Sequence, residues 1–419
     1  MRMSSAPRQE NETAPVNQRA ATLAIIVAAL GYFVDIYDLI LFGVIGRKSL
    51  RELGVPEGNV EAMFADLLDK QMLGMLVGGV LWGILGDKRG RLSVLFGSIV
   101  MYSLANIGNG MLRTTEYYGV MRFVAGVGLA GELGAGITLV SEIMSKTARG
   151  WGTTIIAGVG VTGAIAAALI DRAGVHWSTA YYIGGVMGFA LLLLRIGVRE
   201  SGMFQAVRSQ DVSRGNFLAL FTNFDRFRRY MGVILCGVPV WYLIGILVNR
   251  APKIAKDMGL TDAVLPGTAV MMAYIGLAVG DLASGVVSQL IRSRRKTVAL
   301  FLFLSALGTV VYFFIAGKNV TLLYGACFAV GVGGGYWAVF VTMASEQFGT
   351  NLRSTVTTTA PNFVRGSLVV VSMGFAALEP HIGPWKSAMV LGIVTITIAL
   401  LALLPLHETF GKSLDFVEK

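Results

Sequence analysis

Long apolar runs separated by short polar stretches make up most of this 419-residue chain. Twelve runs come close to the roughly 20 residues that an α-helix needs to cross a bilayer. Their predicted bounds are 21–45, 67–86, 92–112, 117–143, 151–170, 179–198, 229–249, 268–290, 297–316, 321–343, 354–377 and 387–406. A polar interruption separates the first six runs from the last six. The pattern predicts an all-α membrane protein with a six-helix bundle at 1–198, a linker with a surface amphipathic helix at 199–228, and a second bundle at 229–419.

Composition and charge agree with a membrane protein. Charged residues make up 14% of the chain and hydrophobic residues 54%, whereas soluble domains carry about 25% charged residues. The net charge is +10, but the basic residues lie in short loops, as is typical of membrane orientation, so we expect no nucleic-acid partner. With 21 Lys and Arg on the side of the chain termini and 11 on the other, both termini are expected to be cytoplasmic.

The sequence offers no support for an enzyme, a cofactor or a metal site. Cys236 and Cys327 both fall inside apolar runs, so we expect neither a disulfide nor a metal site. The glycine-rich segment 331–335 follows no predicted strand and is no phosphate loop. The polar first twenty residues lack a signal-peptide pattern. We therefore expect a multi-pass membrane protein that contacts the lipid bilayer.

An internal repeat links the two predicted bundles. A charged glycine turn at 83–91 has a less exact copy at 285–296, and the two segments start 202 residues apart. Glu142 and Arg149 recur as Glu346 and Arg353, both with an offset of 204 residues. Such spacing predicts two parallel six-helix repeats with a binding site between them near the middle of the membrane.

Ionisable residues inside the predicted helices are candidates for function, because such charges are costly in a membrane. Asp35, Asp38 and Glu132 are the candidate proton-coupling residues, since a carboxyl group shielded from water can take up a proton near neutral pH. The alternative is that they are held in ion pairs with Arg122 or Arg365. Arg195 lies near the end of the sixth run, and its side chain is expected to reach the polar interface.

Arg365 is the leading substrate-binding candidate, because its planar guanidinium suits a carboxylate. Its repeat position is Val161, so the charge is not required by the two-fold arrangement. The alternative is a structural pair with Asp35 or Asp281. The further substrate-binding candidates are Arg122, Tyr37, Tyr336, Trp337, Trp241, Tyr242 and Asn362. For the aromatic residues, ordinary helix packing is an almost equally good explanation.

The glycine turn and its repeat predict a gate. Asp87 is expected to cap the helix that starts near Ser354, and Arg91 to bridge Asp87 and Glu142. The alternative is a plain basic loop on the cytoplasmic side. The complete set of candidate gating residues is Gly83, Asp87, Gly90, Arg91, Glu142, Arg149, Glu346 and Arg353.

These motifs resemble those of a known superfamily of carriers. Residues 83–91 resemble the G-x-L-x-D-R-x-G-R signature of the major facilitator superfamily, with Lys88 in place of the first Arg, and 122–128 resemble its R-x-x-x-G-x-G motif. Residues 35–43 and 131–135 resemble the metabolite:proton symporter family, with Asp35 and Ala130 as departures. The D-x-Y-D motif at 35–38 is also similar to the corresponding motif of aromatic-acid symporters. The tail at 407–415 resembles sugar and organic-ion porters.

The resemblance implies a twelve-helix major facilitator fold and a secondary transporter. We expect a monomer in the bacterial cytoplasmic (inner) membrane, with the lipid bilayer, protons and a small-molecule substrate as its partners. Proton-coupled uptake of a small organic acid or zwitterion by alternating access is the function that the resemblance favours. The alternative is proton-driven export of an anionic metabolite or of a carboxylate-type metal chelate. A membrane sensor without transport is disfavoured because the motifs are intact in both halves.

Overall fold

The computed structural model describes residues 18–145, 148–196, 200–208 and 212–418. The polar N-terminal tail, Lys146, the start of the expected linker at Arg199 and Lys419 lie outside the described residues. Within them, twelve helices are long and apolar enough to cross a membrane. The all-helical membrane fold expected from the hydropathy pattern is therefore confirmed.

The twelve spanning helices fall into two sets of six. The first half contains α1 Ala21–Glu52, α2 Glu57–Arg89, α3 Arg91–Gly110, α4 Tyr118–Ile143, α5 Arg149–Arg172 and α6 Trp177–Leu194. The second half contains α7 Phe224–Val248, α8 Pro266–Leu290, α9 Arg294–Ile315, α10 Val320–Gln347, α11 Arg353–Ile382 and α12 Pro384–Leu403. The start of α1 and the end of α12 lie at one end of the bundle, which we call the terminal face.

Several helices are longer than their apolar runs. The α1–α2 connection shows why, because both helices extend past the apolar region into polar sequence. Arg47 pairs with Glu61 at 2.6 Å and Arg51 with Glu57 at 2.7 Å, all with exposed side chains. Hydropathy marks only the part of a helix that lies in lipid, so α2 begins at Glu57 rather than at residue 67.

Four of the spanning helices have irregular backbone near the middle of the bundle. The interruptions lie in α4 after Leu129, in α5 at Thr162, in α7 as a π-helical segment at Leu243–Val248, and in α10 between Gly334 and Trp337. In α10 the cause is close packing, because a Cβ on Gly335 would lie 2.6 Å from the backbone nitrogen of Asp281 on α8. Interruptions at this depth occur where helices line an internal site.

Two glycines of the repeated turn have distinct geometric roles. Gly83 lies against α11, where a Cβ would stand 2.9 Å from the Thr355 Cα, so only glycine lets α2 and α11 approach this closely. Gly90 joins α2 to α3 with a φ of 102°, in the left-handed region that favours glycine. Both positions therefore restrict the residue type through backbone geometry.

The two halves meet mainly along two helix pairs, α2 with α11 and α8 with α5. The inner halves of α4 and α10 also pack across this boundary, against α11 and α5. A short helix at Gly202–Arg208 packs beneath the terminal face, with Phe204 buried. The segment after α12 crosses the same face and contacts both halves.

Candidate functional site

A small cavity lies between the two halves at mid-depth. Its volume is 20 Å³, room for about one water molecule and far below the roughly 300–1,000 Å³ of typical ligand pockets. The lining residues are Tyr32, Ile36, Val161, Val240, Trp241, Ile244, Tyr274, Leu277, Trp337 and Arg365. They come from α1, α5, α7, α8, α10 and α11, so movement of the halves would change the size of the cavity.

Arg365 supplies the single charged side chain of this lining. Its Nη1 donates a hydrogen bond to Asn362 Oδ1 at 3.2 Å, and its Cζ lies 5.8 Å from the centre of the Trp337 ring. Within the described residues, Nε and Nη2 have no hydrogen-bond partner. The guanidinium is nearly fully buried yet keeps donors unused, which a planar two-oxygen anion can satisfy.

Asn362 holds this arginine and joins it to the first half. Its Nδ2 donates to the Thr358 carbonyl oxygen at 2.7 Å on its own helix. The same nitrogen donates across the boundary to the Ala130 carbonyl oxygen at 2.9 Å, at the interruption of α4. The side-chain oxygen of Asn362 is thereby oriented toward Arg365.

Asp35 on α1 is the acid nearest to Arg365. Its Oδ2 lies 3.9 Å from Arg365 Nη2, and its side chain is fully buried. No donor among the described residues forms a hydrogen bond to either carboxylate oxygen. The pair is therefore a long ion pair across the two halves, without the hydrogen bonds that usually stabilise a buried one.

Asp38 and Arg122 lie inside the first half rather than in the central cavity. The Asp38 carboxylate lies against Gly184 of α6 next to Asn106, and neither of its oxygens has a hydrogen-bond partner among the described residues. Arg122 donates a hydrogen bond to Gln71 and lies over the Phe42 ring, with 4.7 Å from its Cζ to the ring centre. The structure therefore separates Arg122 from Arg365, the other arginine proposed for substrate binding.

Glu132 forms an ion pair that the sequence did not indicate. Its partner is Arg195, the residue directly after α6, which donates to Glu132 Oε1 and, from Nη1, to the Leu95 carbonyl oxygen at 2.6 Å. Arg195 was expected to reach the polar interface, and this expectation is wrong, because the side chain is buried and both terminal nitrogens are engaged. Gly31 on α1 leaves room for the pair, since a Cβ there would lie 2.7 Å from Arg195 Nη2.

The three candidate proton-coupling acids therefore differ in their partners. Glu132 pairs with Arg195 within the first half, Asp35 faces Arg365 in the second half, and Asp38 has no ion pair among the described residues. Relative motion of the halves therefore acts directly on the Asp35–Arg365 pair. Over the described ranges, no group of three or more His, Cys, Asp or Glu is arranged to hold a metal ion.

The aromatic candidates divide into two groups. Trp241 and Trp337 line the cavity. The hydroxyl groups of the other three donate to backbone carbonyl oxygens at 2.8 Å: Tyr37 to Ala180, Tyr242 to Ala388 and Tyr336 to Cys236. These three tyrosines connect helices within one half and are not among the residues that line the cavity.

Two further tyrosines, Tyr32 and Tyr274, line the cavity and were absent from the sequence-based candidates. Tyr32 precedes Asp35 by one helical turn, which was the available signal. On α8, Asp281 Oδ1 accepts a hydrogen bond from the Ala338 backbone N–H at 3.0 Å. Asp281 therefore caps the inner half of α10 instead of pairing with Arg365.

At the terminal face, Asp87 lies at the start of α11. Its Oδ1 accepts a hydrogen bond from the Ser354 N–H at 3.0 Å, and its Oδ2 accepts from the Thr355 N–H at 2.8 Å and the Thr355 hydroxyl at 2.7 Å. Arg91 lies 3.4 Å from Asp87 and donates to Glu142 at 2.7 Å. The cap and the bridge expected from the sequence are both present, and the cap joins the two halves.

Two ion pairs cross the halves in reciprocal fashion. Glu142 accepts from Arg353 at 3.0 Å, and Glu346 accepts from Arg149 at 2.7 Å. The C-terminal segment fastens the same arginines, because Arg149 donates to the Lys412 carbonyl oxygen and Arg353 to that of Leu414, both at 2.6 Å. The eight gating candidates thus lie together in a closed terminal face.

Comparison with known proteins places this arrangement in a family. The sequence profile of the Major Facilitator Superfamily matches residues 21–372. A putative metabolite transport protein of Haemophilus influenzae is 25% identical, over 94% of this chain and 97% of its own length. The 3-(3-hydroxy-phenyl)propionate transporter of Escherichia coli is 27% identical, over 84% of this chain and 86% of its own length. The proton:xylose symporter XylE shares the fold with a TM-score of 0.72 at 16% identity, over 95% of this chain and 98% of XylE.

Proposed function

Because the chain belongs to the Major Facilitator Superfamily and is a multi-pass membrane transporter, we propose that it takes up a small organic acid together with a proton. The membrane is the bacterial cytoplasmic membrane, with both termini in the cytoplasm and the terminal face as the cytoplasmic gate. The basic loops on that face support this orientation. Transport proceeds by alternating access, in which the two halves rock about the central cavity.

Arg365 carries the assignment of the substrate class. A buried guanidinium with unused donors, in a cavity otherwise lined by aromatic and aliphatic groups, fits a carboxylate on an apolar or aromatic body. Trp241, Trp337, Tyr32 and Tyr274 supply the ring surfaces for that body. The name of the Escherichia coli relative, a transporter of 3-(3-hydroxy-phenyl)propionate, supports the same class.

Competition for Arg365 couples the proton to the substrate. When Asp35 is ionised, its negative charge lies 3.9 Å from Arg365 and neutralises the guanidinium, which weakens the attraction of Arg365 for a second carboxylate. A proton on Asp35 removes this competitor and leaves the guanidinium free for the substrate carboxylate. The carboxylate and the proton therefore enter as a pair, and the buried site carries no additional net charge. Asp38 and Glu132, the latter paired with Arg195, influence this titration from within the first half.

The terminal face acts as one of the two gates. Asp87, Arg91 and the reciprocal Glu142–Arg353 and Glu346–Arg149 pairs hold the halves together while this face is closed. Gly83 and Gly90 provide the close helix approach and the turn on which the lock depends. Opening toward the cytoplasm breaks these contacts, and the C-terminal segment must release Arg149 and Arg353 at the same step.

The direction of coupling is tested with purified protein in sealed liposomes. A thermal-shift screen of aromatic acids, aliphatic acids and betaines first identifies a ligand, because binding raises the apparent stability. An imposed gradient, acidic outside, should then drive accumulation of the labelled acid. Accumulation driven only by the opposite gradient would instead favour the export of an anion or a chelate, and the absence of counterflow would contradict transport of that ligand.

A further inference from the structure

A second cavity opens at the terminal face, away from the central site. It lies between the turn that joins α8 to α9, the first turns of α9 and the last turns of α12, and its volume is 690 Å³. The lining residues are Ile291, Arg292, Ser293, Arg295, Lys296, Ala299, Leu400, Leu401, Leu403, Leu404 and Glu408. We refer to it as the α9–α12 groove.

From the chemistry of this groove, we propose that it binds the headgroup and upper acyl chain of an anionic phospholipid. The position is appropriate, because the groove lies where two membrane-spanning helices end, α12 at Leu403 and α9 at Arg294. Basic recesses between helix ends at this level recognise acidic headgroups. The proposal is independent of the transported substrate and of the direction of transport.

The polar end of the groove carries a positive charge. Arg292, Arg295 and Lys296 contribute three positive charges and Glu408 one negative charge, a balance of +2. The carboxylate of Glu408 is already engaged, because it accepts from the Ser293 hydroxyl and from the backbone N–H groups of Arg294, Thr409 and Phe410, all three at 2.9 Å. The oxygens of Glu408 are thus occupied by donors of the protein itself, which leaves the side chains of Arg292 and Lys296 available to an anion.

The hydrogen bonds to Glu408 also determine its ionisation. Partial burial alone would raise the pKa of Glu408, but the hydrogen bonds from Ser293 and from the backbone N–H groups outweigh it and lower the pKa below its ordinary value. The carboxylate therefore stays charged and hydrogen-bonded at neutral pH. The positive balance of the groove is consequently a permanent feature rather than one that depends on pH.

The geometry of the turn also favours a groove. Arg292 has a φ of 49°, and it is the single non-glycine residue of the described chain in the left-handed region. This conformation is unfavourable for a residue that carries a Cβ. Arg295 Nη2 donates to the Leu404 carbonyl oxygen at 2.8 Å, which fixes the end of α12 against the start of α9. The groove is therefore a defined part of the fold.

The apolar end suits an acyl chain. Leu400, Leu401 and Leu404 are exposed, by 41%, 60% and 64%, and they continue from the basic end toward the middle of the membrane. A free phosphate ion would satisfy the basic groups but leave this leucine surface unused. The combination of both ends distinguishes a phospholipid from a small anion.

Binding is measured by native mass spectrometry of the full chain, titrated in detergent with phosphatidylglycerol or with phosphatidylcholine. The wild-type protein should bind phosphatidylglycerol preferentially. The variant R292Q/K296Q should bind it roughly tenfold or more weakly, since each basic residue near a lipid surface contributes to anionic lipid attraction. Arg295 stays in place because it holds the end of α12. The matched control R226Q/R228Q removes the same charge from the same face, outside the groove, and should bind as the wild type does.

A second variant tests the apolar end with all charges present. Ala299 is half-buried in the groove wall, and Ala299→Trp should fill the groove and weaken phosphatidylglycerol binding. Its melting temperature in detergent alone checks that the protein is folded. Unchanged phosphatidylglycerol binding in both groove variants, or an equal loss in R226Q/R228Q, would overturn the proposal. Displacement of the lipid by millimolar inorganic phosphate would overturn it too, because the site would then be a small-anion site.

Discussion

The buried arginines of this protein differ in how completely their donors are used. Arg353 at the terminal face donates to Ser345, Glu142, Thr350 and Leu414, so every nitrogen has a partner. Arg365 has one hydrogen bond, to Asn362, and an ion pair at 3.9 Å. A saturated arginine stabilises a state of the protein, whereas an unsaturated one at a cavity can bind something else.

Replacing Arg365 tests the binding role. Arg365→Lys should already weaken carboxylate binding, because an ammonium cannot reproduce a two-bond contact. Arg365→Ala should cost on the order of 2–5 kcal/mol of binding free energy for a carboxylate ligand, and less for a neutral analogue. Isothermal titration calorimetry measures both. Arg250→Lys, at a cation–π site on Phe375 away from the cavity, is the matched control and should leave the affinity unchanged.

The competing explanation gives a different result in a double variant. If Arg365 only neutralises an acid, removal of Asp35 together with Arg365 should restore the carboxylate affinity of the wild type. Such rescue in R365A/D35N would contradict a carboxylate contact at Arg365.

Replacing the acids separates their roles. Asp35→Asn should abolish accumulation driven by a pH gradient yet retain counterflow, because the amide resembles the protonated carboxyl group. Glu132→Gln should chiefly lower stability, by roughly 3–5 kcal/mol, because it leaves Arg195 buried without its counter-charge. Transport assays in liposomes and melting temperatures in detergent measure these effects. Gradient-driven accumulation that survives in Asp35→Asn but fails in Asp38→Asn would transfer the coupling role to Asp38.

At the scale of helices, close contacts and caps determine where the chain is irregular. Asp281 caps the inner half of α10 after the interruption at Gly335, and Asp87 caps α11 from the opposite half. The two caps differ in consequence, because the first lies within one half and the second joins the halves. Loss of the Asp87 cap should therefore affect the transport cycle more than the fold.

Asp87→Asn should slow transport with little change in substrate affinity, because the cap lies far from the central cavity. The measurements are the initial rate of counterflow and the dissociation constant of the same ligand. Asp225→Asn is a suitable control, since Asp225 is exposed at the start of α7 and its ion pairs, with Arg228 and Arg229, stay within that helix. A fall in affinity as large as the fall in rate would refute the gate assignment.

Glycine at the α10 interruption is expected to be essential for packing. Gly335→Ala forces a Cβ against the backbone of α8 and should destabilise the protein by about 1–3 kcal/mol. Gly325→Ala in the same helix meets no atom within 4 Å, so it should be neutral or slightly stabilising. Gly335→Ala should therefore have the lower melting temperature of the two variants. Equal melting temperatures would count against the packing explanation.

The sequence predicted helices, repeat and gate contacts better than it predicted the cavity lining. Repeat offsets fix the depth of a residue along a helix, so Asp87 and Arg91 could be assigned to the terminal face. They do not fix the rotation of a helix about its own axis, and the side chains of neighbouring residues on a helix point about 100° apart. Trp337 therefore faces the cavity while Tyr336 bonds to Cys236. Tyr32 and Tyr274 were missed for the same reason, because hydropathy does not tell which face of a helix meets the other half.

At the scale of the whole molecule, contacts between the halves form two layers. The terminal face holds reciprocal Glu–Arg pairs related by the internal repeat, which favour a closed face. The middle layer holds Asp35 and Arg365, which are not related by the repeat. A symmetric lock suits a gate that both halves open together, whereas an asymmetric charge pair suits the proposed recognition of one ligand and one proton.

The central claim is that a substrate carboxylate and a proton are linked through the Asp35–Arg365 pair. The most direct test measures protons taken up by purified protein in weak buffer when a saturating carboxylate ligand is added. We predict uptake approaching about one proton per ligand bound in the wild type, because the ligand displaces Asp35 from Arg365. Asp35→Asn should bind the ligand without proton uptake. Ligand binding to the wild type without proton uptake at any pH, or unchanged uptake in Asp35→Asn, would contradict the account.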